Sequence, residues 1–306
     1  MASTARFVIG TRGSPLALAQ ARLVEQAVVR AVPELAEPGA VATQVIRTSG
    51  DAVQDRPLAE IGGKGLFTKE IEEALLDGRI DIAVHSCKDM PTVLPPGLVI
   101  AASLPRADPR DALISGSASA IESLPPGAVI GSSSVRRVAQ ALALRPDLRV
   151  VGLRGSVGTR LRKLDEGRVQ ATFLAMAGLD RLGVGGARIH PLPTETMLPA
   201  VAQGAIAIEA REGDGAVLSL LGRIDDASTS RCVAAERALL AELDGSCRTP
   251  IAALCVEEAP GMWLRGLVAS PDGRRIARVE RRGAGADATA MGLDAGRELR
   301  RSDAFG

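Results

Sequence analysis

Asp81-Ile82-Ala83-Val84-His85-Ser86-Cys87-Lys88-Asp89-Met90-Pro91 reads as the end of a buried strand, Ile80 to Val84, that releases His, Ser, Lys and Asp into a loop stopped by Pro91. Polar side chains at a strand end are the usual carriers of chemistry in α/β folds. Outward from this stretch, Leu66 to Leu76 carries apolar residues at helical spacing and Leu98 to Ala102 reads as a further strand. Upstream, Arg6 to Gly10 is a short apolar strand, and Ser14-Pro15 supplies an N-cap with proline at the first helical position before the helix Leu16 to Arg30. Val41 to Arg47 is another strand. This β-α-β alternation predicts a mainly parallel sheet covered by helices, an α/β fold.

The pattern then restarts. Ala128 to Ile130, Arg149 to Leu153 and Ala171 to Ala175 read as strands, with helices over Val135 to Leu144 and Ser156 to Leu164 between them. Two α/β units in series predict two lobes with a cleft, and no internal sequence repeat relates them. The last part changes character. A helix over Ser230 to Leu243 precedes strands at Thr249 to Val256, Trp263 to Ala269 and Arg275 to Arg281, with Ser270-Pro271-Asp272-Gly273 as a hairpin turn. A closing helix near Ala288 to Leu299 completes a small α+β domain.

The 306 residues are too many for one ordinary core, and 46% hydrophobic content argues against disorder. Aromatics make up only 2%, with no Tyr and one Trp, which disfavours a base-stacking surface for single-stranded nucleic acid. Net charge is +1, so overall charge selects no partner. Four Cys without a C-x-x-C pair and two His make a zinc site unexpected. With no long apolar run and no export signal, a reducing cytoplasm is the expected compartment, with no membrane partner.

Chemistry concentrates in three further places. Arg136 to Arg168 holds nine cations against Asp147, Asp165 and Glu166. Ser132-Ser133-Ser134 precedes Arg136-Arg137, and Arg154-Gly155-Ser156 precedes a helix with Arg160. Hydroxyls and free amides at a helix start, beside guanidinium forks, make an anion site, so Arg136, Arg137, Arg154 and Arg160 are read as ligand-binding. Arg145, Arg149, Arg162 and Arg168 are read as solvated. Gly62-Gly63-Lys64-Gly65 lacks phosphate-loop spacing and reads either as a lid carrying Lys64 or as a plain turn. Gly245-Ser246-Cys247-Arg248-Thr249-Pro250 puts a thiol beside Arg248, which would lower its pKa, although a loop Cys is more often inert. Cys232 and Cys255 read as packing residues.

Taken in order, Gly10-Thr11-Arg12-Gly13-Ser14-Pro15-Leu16-Ala17-Leu18, Thr48-Ser49-Gly50-Asp51, Gly62-Gly63-Lys64-Gly65-Leu66-Phe67 and His85-Ser86-Cys87-Lys88-Asp89-Met90-Pro91 resemble the porphobilinogen deaminase (hydroxymethylbilane synthase) family. Ser133-Ser134-Val135-Arg136-Arg137, Leu153 to Arg160, Ala177-Gly178-Leu179, Pro199 to Gly204 and the Gly-Ser-Cys-Arg-Thr-Pro turn continue the match, which runs from about Phe7 to Leu299. The resemblance implies two periplasmic-binding-protein-like lobes, residues 1–104 with 200–224 and residues 105–199, plus a third domain over 225–306. It implies a transferase of tetrapyrrole (porphyrin and heme) biosynthesis that condenses four porphobilinogens head to tail, losing ammonia each time, before hydrolysis releases hydroxymethylbilane.

By the same resemblance, a dipyrromethane cofactor is held as a thioether on Cys247 and bound by Lys88, Ser134, Arg136 and Arg137. Arg12, Ser14, Lys64, Arg154, Arg160 and Arg181 bind the incoming unit or the growing chain. Asp89 is the catalytic carboxylate that stabilises positive charge on the ring nitrogens. No metal is implied, and a monomer is expected. Ser156 stands where many members have Asn, Glu60 where some have Lys, and Cys87 where Met is usual. Two other readings compete: a non-catalytic solute-binding module on the same lobes, which needs neither Asp89 nor Cys247, and a nucleic-acid binder using the Arg-rich stretch, against which the low aromatic content argues.

Overall fold

The structure is a computed structural model that describes residues 6–52, 65, 67–244 and 249–304. Of these, the residues before 53, from 65 to 106 and from 205 to 230 form one compact unit, and those from 107 to 204 and from 231 to 304 form a second.

The first unit is built on a five-stranded sheet. β1 (Phe7–Thr11) lies between β2 (Val41–Val45) and β3 (Ile82–Ser86), parallel to both. Beyond β3 comes β10 (Ile206–Arg211), antiparallel to β3 and to the edge strand β4 (Leu98–Ser103). Four strands therefore run one way and only β10 is reversed. The helix α1 (Pro15–Ala31) starts where Ser14 Oγ accepts from the Ala17 amide, with Pro15 in the first turn, and buries Ala21, Val24 and Val28 against the sheet. A short α2 (Ser49–Ala52) follows β2, and α3 (Lys69–Leu76) covers the opposite face through Ile71, Ala74 and Leu75. Side chains alternate along β3, so Ile82 and Val84 meet the α1 layer while Ala83 meets the α3 layer.

The second unit repeats that topology. β6 (Val129–Gly131) lies between β7 (Arg149–Val151) and β8 (Ala171–Ala175), parallel to both, and β5 (Asp111–Ile114) is antiparallel to β8 and to β9 (Ile189–Pro191). Again four strands agree and one is reversed. In each sheet the reversed strand is the one the chain lays down on crossing between units: β5 after leaving the first, β10 on returning to it. The helices α4 (Val135–Leu144), α5 (Val157–Asp165) and α6 (Met176–Arg181) complete this layer. The sheets match the expected mainly parallel arrangement. The strands and α-helices not anticipated are α2, β5, β9, β10, α6 and α7 (Gly215–Gly222).

Also in the second unit, β11 (Ile251–Glu258), β12 (Gly261–Ala269) and β13 (Ile276–Gly283) form an antiparallel sheet. One face carries α8 (Ala227–Glu242) and α9 (Ala288–Arg300), most of α8 belonging to this unit. Those helices approach so closely that a Cβ at Gly292 would stand 2.1 Å from the Ala235 carbonyl oxygen. The other face packs Ala252, Leu254, Leu267 and Ala269 against Ala139 of α4 and Leu198. The β12–β13 turn, closed by Gly273 N–H donating to Ser270 O at 2.9 Å, sits directly on α4.

Candidate active site

In the first unit, β1 and β3 are parallel neighbours, so their carboxyl ends deliver Arg12 and Ser86 to the same edge of the sheet. Arg12, Ser14, Gln20, Phe67, Thr68, His85, Ser86 and Asp89 line one open pocket there. The Arg12 guanidinium lies 4.1 Å from the centre of the Phe67 ring, which holds the cation over an apolar wall. Ser14, which caps α1, presents its hydroxyl at the same place. The Ser86 hydroxyl stands 2.9 Å from Nε2 and 3.0 Å from Oε1 of Gln20, a buried side chain of α1. Beyond Ser86 the chain turns through one 3-10 turn, Cys87–Asp89. Cys87 points inward and its N–H donates to Ala205 O at 3.1 Å, leaving Lys88 and Asp89 exposed on the outer side.

Beneath this pocket lies a polar cluster. His85 Nε2 is 3.1 Å from Glu209 Oε2, with both side chains buried, and Glu72 of α3 is buried beside them. Burial first, then the negative charge of Glu209, pushes the Glu72 carboxyl above the usual carboxylate range, against a lowering from Thr68 and His85. Sequence reading found His85 but not Gln20, Glu72 or Glu209. Glu209 sits on the unanticipated β10, and the alternation of β3 puts His85 on its side of the sheet only once that strand is placed.

In the second unit, Ser134 caps α4, accepting from the Arg137 amide, and α4 carries Arg136 and Arg137 into the interior. Both close on Asp111, the first residue of β5, which is fully buried. Arg136 Nη1 is 2.7 Å from Asp111 Oδ2; Arg137 Nη2 and Nε are 2.6 and 3.0 Å from Oδ1. Gln203 Nε2 donates to the same Oδ1 at 3.0 Å. Leu198 O accepts from Arg136 Nη1 and Phe173 O from Arg137 Nη1. Despite its burial, the two guanidinium charges hold the Asp111 carboxyl far below the usual range, while burial draws Arg136 down. Sequence reading expected these arginines to face a ligand; the structure places them together on an internal carboxylate that gave no signal, because Asp111 opens a four-residue strand with no apolar alternation.

Arg154 and Arg160 flank the start of α5, where Ser156 Oγ accepts from the Thr159 amide at 3.2 Å. Arg160 Nε donates to Gly155 O at 2.9 Å. Nη1 of Arg154 is buried and makes no hydrogen bond among the described residues, an orphaned cationic donor. Arg181 ends α6, where the helix dipole favours a cation, and its Nη2 donates to Gly204 O at 2.6 Å. Burial draws its pKa down to about 10. Of the arginines read as solvated, Arg162 and Arg168 pair with Glu166 at the surface and Arg149 is exposed, whereas Arg145 is largely buried, its guanidinium held by Asp147 and the carbonyls of Glu122 and Leu124.

Lys64 and Cys247 lie outside the described residues. The other three cysteines, Cys87, Cys232 and Cys255, are buried. Among the described residues, no group of three or more His, Cys, Asp or Glu is arranged to hold a metal ion, and no helix is long and apolar enough to cross a membrane.

Residues 7–219 match the family described as porphobilinogen deaminase, dipyromethane cofactor binding domain, and residues 230–301 match porphobilinogen deaminase, C-terminal domain. The porphobilinogen deaminase of Nitrobacter winogradskyi is 54% identical over 292 residues, covering 95% of this chain and 92% of its own. The chloroplastic porphobilinogen deaminase of Oryza sativa subsp. japonica is 52% identical over 295 residues, covering 95% of this chain and 82% of its own. Among solved structures, the periplasmic VFT2 domain of Bordetella pertussis BvgS covers 71% of this chain and 86% of its own, at 12% identity and a TM-score of 0.39.

Proposed function

The chain belongs to the porphobilinogen deaminase family, and from that membership we infer that it is a hydroxymethylbilane synthase, a transferase that joins four porphobilinogens with loss of ammonia. The observation that carries the reading is the match of both family domains, in order, along nearly the whole chain. Porphobilinogen bears an acetate and a propionate, so the site must hold carboxylates, and the grouping of Arg12 and Ser14 in the first unit supports their binding the incoming unit.

Asp89 shares the pocket with Arg12, and this supports its role as the catalytic carboxylate. Loss of ammonia from the substrate's aminomethyl carbon leaves positive charge on the pyrrole nitrogen. An anionic Oδ of Asp89 stabilises that charge as it develops and can hold the proton released when the new carbon–carbon bond forms. The Ser86–Gln20 hydrogen bond steadies the strand end from which Asp89 projects.

Dipyrromethane, when bound, supplies the primer on which the chain grows. The donor set of the second unit fits such an anionic group: the side-chain hydrogen bonds Arg136 makes among the described residues run through Nη1, keeping Nη2 and Nε as donors, and Arg154 beyond it has an orphaned Nη1 for the carboxylates of added units. Ser134, Arg136, Arg137 and Lys88 would hold it, with Arg154, Arg160, Arg181 and Lys64 serving the added units. Cys247, in the turn that carries the attachment thiol in the family, is the thiol for attachment, a reading that the burial of Cys87, Cys232 and Cys255 supports. Three domains, with the three-stranded sheet as the cofactor carrier, a cytoplasmic location and a monomeric state complete the proposal, with neither nucleic acid nor membrane as partner.

Intact mass under denaturing conditions, with peptide mapping, tests it. A dipyrromethane adduct on the Cys247 peptide is expected. A bare chain that gains no mass and forms no hydroxymethylbilane when incubated with porphobilinogen would overturn it in favour of a solute-binding module.

A further inference from the structure

Two guanidinium groups and one carboxylate are buried together in the second unit. Arg136, Arg137 and Asp111 are all nearly or fully excluded from solvent, so among the described residues the cluster carries one positive charge more than its carboxylate cancels. Buried charge without a counter-charge is costly and persists only where something offsets it. Asp111 already accepts four N–H groups, from Arg136, Arg137 twice and Gln203, and has no further charge to give. Gln203 is the one neutral side chain among its donors. It is buried, and its carboxamide also donates to Pro109 O at 2.8 Å. A Glu there would have nearly the same shape and would cancel the remaining charge.

We propose that Asp111 and Gln203 set the charge of the Arg136–Arg137 pair, Asp111 cancelling one guanidinium and the neutral Gln203 preserving the other, so that the pair accepts a single carboxylate of a pyrrole-bound acetate or propionate. This rests on the reading that Arg136 and Arg137 hold the anionic cofactor. Asp111 and Gln203 touch no ligand in it; they are positioning residues that act through the arginines. The charge count makes the site selective for a monoanionic carboxylate group on each pair, and it gives Gln203 a function that its hydrogen bonds alone do not require.

The experiment uses the full chain produced in a host that makes no porphobilinogen, then incubated with porphobilinogen. Cofactor loading is read as mass gain on the denatured protein, and folding as the thermal transition. Gln203→Glu is expected to load roughly tenfold or more slowly than Gln203→Met at about pH 8.5. Equal loading of the two variants at that pH overturns the proposal. A second pair does not depend on Gln203→Glu folding. Arg137→Gln leaves the cluster neutral and is expected to load slowly; adding Asp111→Asn returns one net positive charge and is expected to recover roughly tenfold of the loss. A double variant no faster than Arg137→Gln overturns the proposal. Arg136→Gln separates the two levels. Wild-type loading by that variant defeats the reading that the arginines hold the cofactor, whereas slowed loading beside an unaffected Gln203→Glu defeats the charge-setting role alone.

Discussion

His85 Nε2 lies 3.1 Å from Glu209 Oε2 across the β3–β10 pairing, both side chains buried, and four residues after His85 the same chain segment presents Asp89 to solvent. The pair ties the strand that carries the proposed catalytic carboxylate to the strand on which the chain returns from the second unit. Glu72 is buried against both.

Glu72 binds its proton more tightly folded than unfolded, so its ionisation opposes folding. Its contribution is lost as pH rises from the ordinary carboxylate value through the raised folded one. Glu72→Gln should therefore melt at or below the wild-type temperature near about pH 4 and above it near about pH 7.5, as followed by circular dichroism. A difference that does not change with pH would show that Glu72 binds its proton equally well folded and unfolded.

Asp111 is the opposite case. Its folded pKa lies far below the unfolded value, so the stability it supplies is present above the unfolded pKa and is lost only in strong acid, as pH falls through the folded value. Asp111→Asn strands two buried guanidinium groups and should cost about 3 kcal/mol or more at neutral pH in urea unfolding, the cost shrinking in acid.

Gly273 and Gly167 both have positive φ, +71° and +70°, but different surroundings. A Cβ at Gly167 meets nothing within 4 Å, whereas at Gly273 it would stand 2.2 Å from the Ala139 carbonyl oxygen of α4. Gly167→Ala should cost about 1 kcal/mol and Gly273→Ala about 3 kcal/mol, the excess measuring how firmly the β12–β13 turn is seated on the helix that carries Arg136 and Arg137.

Asp89→Asn keeps the shape of the side chain and removes its charge. Turnover should fall roughly a hundredfold or more while the purified protein still carries its dipyrromethane mass, because charge stabilisation is lost and attachment is not. Near-wild-type turnover would remove Asp89 from the mechanism.

Cys247→Ser should yield protein without a stable dipyrromethane adduct, whereas Cys87→Ser and Cys255→Ser should retain it, since those thiols are buried. Mass spectrometry of the three purified variants decides. An adduct on the Cys247 variant would move the attachment elsewhere.

Much of this was legible in local patterns. Ser14-Pro15 announced the start of α1, Ser134 that of α4 and Ser156 that of α5, because N-capping is a matter of a few adjacent residues. Ser270-Pro271-Asp272-Gly273 announced its turn for the same reason. The loop position of Lys88 and Asp89 followed from an apolar run broken by polar residues and Pro91, but the strand was read as ending at Val84, whereas β3 continues through His85, which is buried, and Ser86.

The two reversed strands escaped. β5 and β10 take their place only because each completes a sheet whose other strands lie far away in sequence, and neither Asp111-Ala112-Leu113-Ile114 nor Ile206-Ala207-Ile208-Glu209 alternates in a way that declares its partner. With them went Asp111 and Glu209, the buried carboxylates they carry. By itself the sequence determined the alternating fold, the capped helices and the family, all of which rest on neighbouring residues or on motifs in order. Only the tertiary structure decided that Arg136 and Arg137 meet on Asp111 and that His85 meets Glu209, because the first contact is made by a helix packing on a strand 25 residues away and the second by strand pairing across 124 residues, which no local pattern encodes.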